Sequence, residues 1–185
     1  IYDFLRKSHK ITFFNEFEKI NFKKYDLVIS YGYGKILKKK QIKKLGSNII
    51  NLHIGYLPFA RGIYPLLWSI VFLKPVGFSI HLISNNNIDD GPIFVRKKII
   101  FKNTDNLQKI HYKCRKSLET YFFKNFKIIL SYKKSKLIKL KNQKKYYFSR
   151  KLSERLLYKL PYKWSTTAKY LKENSSHLKK IYKCN

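Results

Sequence analysis

Short, nearly continuous apolar runs alternate along this chain with longer stretches whose apolar positions recur every three or four residues. Runs of the first kind are typical of strands covered on both faces in a parallel sheet. Spacing of the second kind marks helices with one apolar stripe. Tyr25–Tyr33, with Leu27-Val28-Ile29 at its centre, and Ile49–Ile54 are such runs; Lys10–Phe14 is a shorter strand candidate. Asn15–Lys24 between them is polar and irregular, with room for a turn of helix over the sheet edge. Phe78–Ser84 and Ile93–Ile100 predict two further strands, joined by the polar loop Ser84–Pro92. Ile1–Ser8 reads as the end of a helix. A second helix is expected from Ile36 to Leu45, stopped by Gly46, and a third from Pro65, well suited to a first helical turn, to about Phe72.

The longest helix should follow a cap at Asn103 or Thr104, with Asp105 in its first turn. Leu107, Ile110, Cys114, Leu118, Tyr121, Phe122 and Ile129 form its apolar stripe, a packing face rather than a cofactor box. After Ser131 the chain becomes rich in Lys and Tyr. Tyr146-Tyr147-Phe148 is a short strand candidate there, and Trp164 with Ser165 and Thr166 the start of a last short helix. This order predicts an α/β fold: a doubly wound, mostly parallel sheet flanked by helices. Residues 1–130 are expected to form the principal domain, with 131–185 a short basic extension packed on it. Because Ile1-Tyr2-Asp3 begins in mid-pattern, a further strand is expected ahead of it; without that strand, apolar edges beside Ile29 and Ile50 would stand uncovered and the chain alone would be unstable.

Charge changes the picture less than its size suggests. The 185 residues include 41 Lys and Arg against 10 Asp and Glu, a formal net charge of +31, which invites a nucleic-acid reading. Yet Lys is spread through nearly every segment beside abundant Ile, Asn, Tyr and Phe, all encoded by A/T-rich codons, and no nucleic-acid-binding motif accompanies it. Base composition of the gene is the simpler account of the excess, and if it holds, RNA binding should be weak, sequence-blind and steeply lost with salt. The positive field still favours an anionic substrate. Cys114 and Cys184 have neither metal-ligand nor disulfide-framework spacing, and reduced thiols in a cytoplasmic protein are their simplest account. Leu66–Leu73, the longest apolar run, is far short of the roughly 20 residues of a membrane span. Gly32-x-Gly34 lacks the third glycine of a dinucleotide fingerprint and reads as a strand-to-helix turn.

The chemistry concentrates between Ile50 and Val95. Asn51 and His53 stand two residues apart on a strand, so both side chains project from one side. A Pro/Arg/Gly loop ends that strand, and Asp89-Asp90-Gly91-Pro92 follows the next one. A carboxamide, an imidazole and a carboxylate at the ends of neighbouring strands supply an oxyanion donor, a proton carrier and a group to orient it, which together suit acyl transfer. Alone, His53 would read as a structural histidine and Asn51 as a cap; their pairing with Asp89 reverses that. His81, in mid-strand, reads at least as well as a packing residue, and Trp68 as core.

Asn51-x-His53, Leu57-Pro58-x-x-Arg61-Gly62, Pro65-x-x-Trp68 and Asp89-x-Gly91-Pro92, in this order and spacing, resemble the 10-formyltetrahydrofolate-dependent formyltransferase family over roughly Tyr25 to Ile100. Gly55 departs from it, standing where the family usually carries Ser. The resemblance implies that Asn51 donates to the formyl oxygen, His53 stabilises the tetrahedral intermediate and shuttles the proton, and Asp89 orients the imidazole. It places the pterin of the donor, 10-formyltetrahydrofolate, against the backbone of Asn87, Ile88, Asp89, Asp90 and Gly91, with Asp90 a spectator. Arg61 and Gly62 shape the loop beside the substrate, Arg61 either pairing with an anionic substrate or bracing the turn. The implied partners are folate and a small-molecule amine, with no metal and no membrane; a homodimer is left open. Size and pattern are similar to the short sugar-nucleotide N-formyltransferases, which points to an amino-sugar nucleotide as acceptor. Methionyl-tRNA and glycinamide ribonucleotide are the alternatives, and a non-catalytic basic RNA-binding protein on the same fold is the alternative of another class.

Overall fold

The computed structural model of the chain describes residues 1–14, 24–45, 49–84, 87–131, 137–139 and 147–183. Its main sheet is built on β2 (Ile49–His53), whose Ile49, Ile50 and Leu52 are buried. Strand β1 (Val28–Tyr31) pairs with it in parallel, and β4 (Gly77–Leu82) pairs on its other side in the antiparallel sense. Antiparallel to β4 runs β5 (Ile93–Lys98), giving the order β1-β2-β4-β5. The α/β class is as expected, with helices flanking the sheet. Its direction is more mixed than expected: one pair is parallel and two are antiparallel. The chain reverses between β4 and β5, which makes β5 the hairpin partner of β4 and accounts for one of the two antiparallel pairs. Ile50 is covered between β1 and β4, whereas Ile29 on β1 is half-buried at the edge of the described sheet.

Helix α1 (Tyr2–Leu5) buries Leu5 against the core. No strand forms at Lys10–Phe14; no neighbouring edge pairs with it among the described residues, and Phe13 instead meets the Tyr2 ring at 4.9 Å. The expectation for Asn15–Lys24 falls almost wholly outside the described residues, as do Gly46, Tyr146 and Cys184. Helix α2 (Lys39–Leu45) starts three residues later than Ile36, and α3 (Pro65–Val71) starts at the proline as the sequence predicts. The long helix α4 (Leu107–Leu130) buries Leu107, Ile110, Cys114, Leu118, Phe122 and Ile129, with Phe126 added to the stripe and Tyr121 at its margin. Its cap is Asn106, which accepts from the Lys109 N–H, and not Asn103 or Thr104. Asp105 precedes the helix and is buried, accepting from the Lys102 N–H and the Lys113 ammonium and forming an ion pair with Lys109. No helix among the described residues is long and apolar enough to cross a membrane.

The C-terminal third holds more structure than its composition suggests. Helix α5 (Arg150–Lys159), capped by Ser149, is followed by a 3-10 turn at Lys163–Ser165, then by α6 (Ala168–Glu173) and α7 (Ser175–Lys183). Leu152, Leu156, Leu171, Leu178 and Ile181 from these helices join the same apolar core as the sheet. Two short strands tie this part to the loop after β2. In β3 (Arg61–Gly62) and β6 (Tyr147–Phe148), Arg61 pairs with Tyr147 and Gly62 with Phe148, in parallel. Phe148 is fully buried and stacks on Trp68 with ring centroids 4.5 Å apart and planes within 4°. The Trp68 indole N–H donates to the Ser153 hydroxyl, which donates in turn to the Ile63 carbonyl. Truncating Phe148 to Ala should therefore cost about 3–5 kcal/mol in a urea denaturation experiment. Tyr147→Ala, at the half-exposed neighbour, should cost much less.

Candidate active site

The site grows from the pairing of β2 with β4. Their antiparallel register sets Asn51 opposite His81 and His53 opposite Ser79, so one carboxamide and two imidazoles gather on one patch of sheet. The loop after β4 turns back over this patch and places Asp89 in the left-handed backbone region, at φ 48°, which is unusual for a residue with a side chain. Its carboxylate is only 11% exposed. A buried charge of that kind demands donors. The Asn51 amide donates to Oδ1 at 3.0 Å and the Gly62 backbone N–H to Oδ2 at 2.9 Å. His81 Nε2 stands 3.4 Å from Oδ1 and His53 Nδ1 3.7 Å from Oδ2. Gly62 reaches this position at φ 92°, and a Cβ there would lie 2.2 Å from the Phe148 carbonyl oxygen, so only glycine fits.

Each imidazole has one nitrogen committed to a backbone carbonyl. His81 Nδ1 donates to the Leu82 oxygen at 2.9 Å, which leaves Nε2 to accept from the Asn51 amide at 3.2 Å. Both amide protons of Asn51 are thus engaged, one by Asp89 and one by His81. His53 Nε2 donates to the Ala60 oxygen at 2.5 Å. Burial is the largest influence on His53 and lowers its pKa from the ordinary 6.5, outweighing the nearby Asp89 carboxylate. Burial alone would raise the Asp89 carboxyl, but His53, His81 and the Gly62 N–H together outweigh it and hold the group well below the usual carboxylate range. At neutral pH the site therefore pairs a neutral His53 with an ionised Asp89.

The structure brings Asn51, His53 and Asp89 together and adds His81, which sequence reasoning left as a packing residue. The signal for His81 is its register opposite Asn51, which appears only once the strands are paired. Arg61 is buried and braces the turn: its Nε donates to the Ile88 carbonyl at 2.8 Å, and its guanidinium meets Asp90 at 3.1 Å. These contacts match the bracing role expected of Arg61. Asp90 meets Arg61 in an ion pair and accepts from the Asn87 amide. Asn87, Ile88, Asp89, Asp90 and Gly91 form a continuous stretch of wall of a cavity of about 970 Å³, which Asn51, His53 and Gly62 also line. Its volume lies toward the upper end of the usual range for small-molecule sites. Tyr31, whose hydroxyl donates to Glu119 at 2.9 Å, forms part of another wall with His111 and Arg115 of α4.

The sequence profile of the Formyl transferase family matches residues 15–125, well over half of the chain. The chain belongs to the formyl transferase family. Within that family it is similar to the methionyl-tRNA formyltransferase of Prochlorococcus marinus (strain AS9601), with 33% identity over 69% of this chain and 41% of the relative. It is also similar to the dTDP-4-amino-4,6-dideoxyglucose formyltransferase of Mycobacterium bovis, with 30% identity over 48% of this chain and 36% of the relative. The chain spans between 28% and 41% of the length of the first three curated relatives it matches. Among solved structures, the formyltransferase PseJ from Anoxybacillus kamchatkensis superposes with a TM-score of 0.75 and 28% identity, over 91% of this chain and 90% of that one. PseJ was crystallised in complex with UDP-4,6-dideoxy-4-formamido-L-AltNAc and tetrahydrofolate.

The buried histidines of this formyl transferase family member give its stability a pH dependence. Because burial keeps His53 below its ordinary 6.5 in the folded chain, the unfolded chain takes up that proton first as pH falls. His111, lowered by burial and by Arg115, acts in the same direction. Stability should hold above about 6.5 and decline below it, by up to about 1.4 kcal/mol per pH unit for a histidine that stays neutral when folded. Urea titrations from neutral to mildly acidic pH measure this loss, and His53→Gln should make it shallower.

Proposed function

We propose that this protein transfers a formyl group from 10-formyltetrahydrofolate to the primary amine of an amino-sugar nucleotide. The observation that carries the reading is the ionised, buried Asp89 between a carboxamide and two imidazoles on the wall of a cavity large enough for donor and acceptor together. The amine nitrogen attacks the formyl carbon, forming a C–N bond as the carbonyl π pair moves onto oxygen. Asn51 gives up its longer hydrogen bond, the 3.2 Å contact with His81, and donates that N–H to the developing oxyanion. His53 takes the proton that the amine sheds, with Asp89 balancing the charge, and returns it to N10 of the folate as the C–N10 bond breaks. The pterin lies against the backbone of Asn87, Ile88, Asp89, Asp90 and Gly91.

The acceptor is read from charge. Arg61, with Gly62 the expected substrate contact, is neutralised by Asp90 and shapes the site from behind, while Gly62 holds Asp89. Arg115, Arg150 and Lys35 also line the cavity and suit the diphosphate of a nucleotide sugar. The sugar product and tetrahydrofolate bound by PseJ support the same assignment. Residues 1–130 carry the chemistry in this reading and 131–185 buttress it; the protein works in the cytoplasm, and neither RNA nor a second copy is required for the reaction.

Amino-sugar nucleotides, glycinamide ribonucleotide and methionyl-tRNA should each be offered with 10-formyltetrahydrofolate while release of tetrahydrofolate is followed. Turnover with an amino-sugar nucleotide is expected; turnover with methionyl-tRNA alone would overturn the acceptor assignment. His53→Ala and Asp89→Asn should each lower kcat by about a hundredfold or more, with folate affinity little changed.

A further inference from the structure

An imidazole offers two nitrogens, and what surrounds His53 decides which one works. Nε2 lies against the Ala60 carbonyl oxygen, an atom that can only accept, so Nε2 keeps its hydrogen. Nδ1 faces Asp89 Oδ2 at 3.7 Å. This placement depends on residue 55. A Cβ built on Gly55 would stand 2.4 Å from His53 Nε2, 2.8 Å from its Cδ2 and 2.8 Å from the Ala60 oxygen. No side chain at 55 is compatible with the imidazole where it lies.

Backbone conformation does not explain this glycine. Gly32 and Gly62 have positive φ and Gly55 does not, so its backbone conformation is open to other residues. Nor can the loop easily retreat. The Gly55 carbonyl accepts from the Ser79 hydroxyl at 2.8 Å, and the Leu57 N–H donates to that hydroxyl at 3.0 Å. Arg96 holds the Leu57 carbonyl at 2.7 Å. The space above Gly55 is taken up first by the imidazole edge and then by the Ala60 carbonyl on which that imidazole rests.

We infer that Gly55 is a positioning residue: by leaving room for His53 Nε2 on the Ala60 carbonyl, it fixes the Nε2–H tautomer and makes Nδ1 the working base. The catalytic consequence rests on the formyl-transfer reading. There the proton shed by the amine forms an N–H bond at Nδ1 while the Nε2–H stays on Ala60. The resulting imidazolium lies between two acceptors, the Ala60 carbonyl and the Asp89 carboxylate, and Nδ1 then releases the proton to N10. The groups facing the ring are Asp89 from the loop after β4 and His81 from β4 itself, whose ring centroid is 6.0 Å away.

The tautomer can be read without folate or acceptor, so this inference fails or stands apart from the assigned reaction. In the whole chain labelled with 15N-histidine, long-range 1H–15N correlations at neutral pH should show His53 with a protonated Nε2 and a bare Nδ1, the signals being assigned by their loss in His53→Gln. In Gly55→Ala the ring has to leave its seat on the Ala60 carbonyl. It should lose that single tautomer and titrate closer to 6.5, with the acidic limb of the kcat profile moving upward in step. A protonated Nδ1 in the wild type would overturn the inference, as would a Gly55→Ala variant with unchanged tautomer and midpoint. Stability gives a second reading should Gly55→Ala fold poorly. The imidazole makes the closest of the contacts that exclude the Cβ, with the Ala60 carbonyl the other, so adding His53→Ala should restore part of the melting temperature lost in Gly55→Ala. Strict additivity of the two losses, or a double variant as unfolded as the single one, would also overturn it.

Discussion

A carboxylate removed from water is the constraint around which this molecule is arranged. Asp89 is held as an anion by donors from distant parts of the chain, an amide from β2 and a backbone N–H from β3, with the imidazoles of β2 and β4 beside it. Each donor needs its own support. Gly62 presents its N–H because β3 is paired with β6, and β6 is held by the stack of Phe148 on Trp68. The turn that carries Asp89 is held by Arg61, whose charge is in turn met by Asp90. Loss of any member leaves a charge or a donor buried without a partner, which costs more than a lost surface contact.

Much of this was legible in the sequence, and the remainder was hidden for physical reasons. Period and run length located β1, β2, β4, β5 and the stripe of α4, because burial on one or both faces leaves a direct mark on the order of residues. Strand direction leaves no such mark, so the antiparallel pairing of β4 and β5 appeared only in three dimensions. His81 was undervalued for the same reason: alternation shows which face a residue takes, not which residue it meets across the sheet. Asp105 looked like a first-turn acid because its side chain is acidic and near the start, but three lysine contacts draw it out of the helix and pass the cap to Asn106. The helix expected near Trp164 corresponds to the 3-10 turn and α6, whereas α5 and α7 were masked by lysines that surround a sparse leucine pattern, Leu152, Leu156 and Leu157 among them.

The scarcity of acids gives the charge a further meaning. With only 10 acidic residues in the chain, Asp89, Asp90, Asp105 and Glu119 are all spent on contacts at or beneath the site and its flanking helix. Few remain to offset lysine on the surface, so the outer field is more uniformly positive than a net charge of +31 alone conveys. Such a field draws anions toward the cavity at a rate that falls with ionic strength, whatever the origin of the lysines.

The parallel pairing of Arg61 and Gly62 with Tyr147 and Phe148 also sets an order of events on the ribosome. Translation proceeds at roughly 5–20 residues per second, so the loop after β2 emerges on the order of ten seconds before the strand that holds it. In that interval the sheet can assemble, but the Gly62 N–H has no fixed direction and Asp89 lacks one of its donors. The nascent chain therefore carries a sheet before it carries a finished site. Closure of the two-residue β3–β6 ribbon is the late step that turns one into the other.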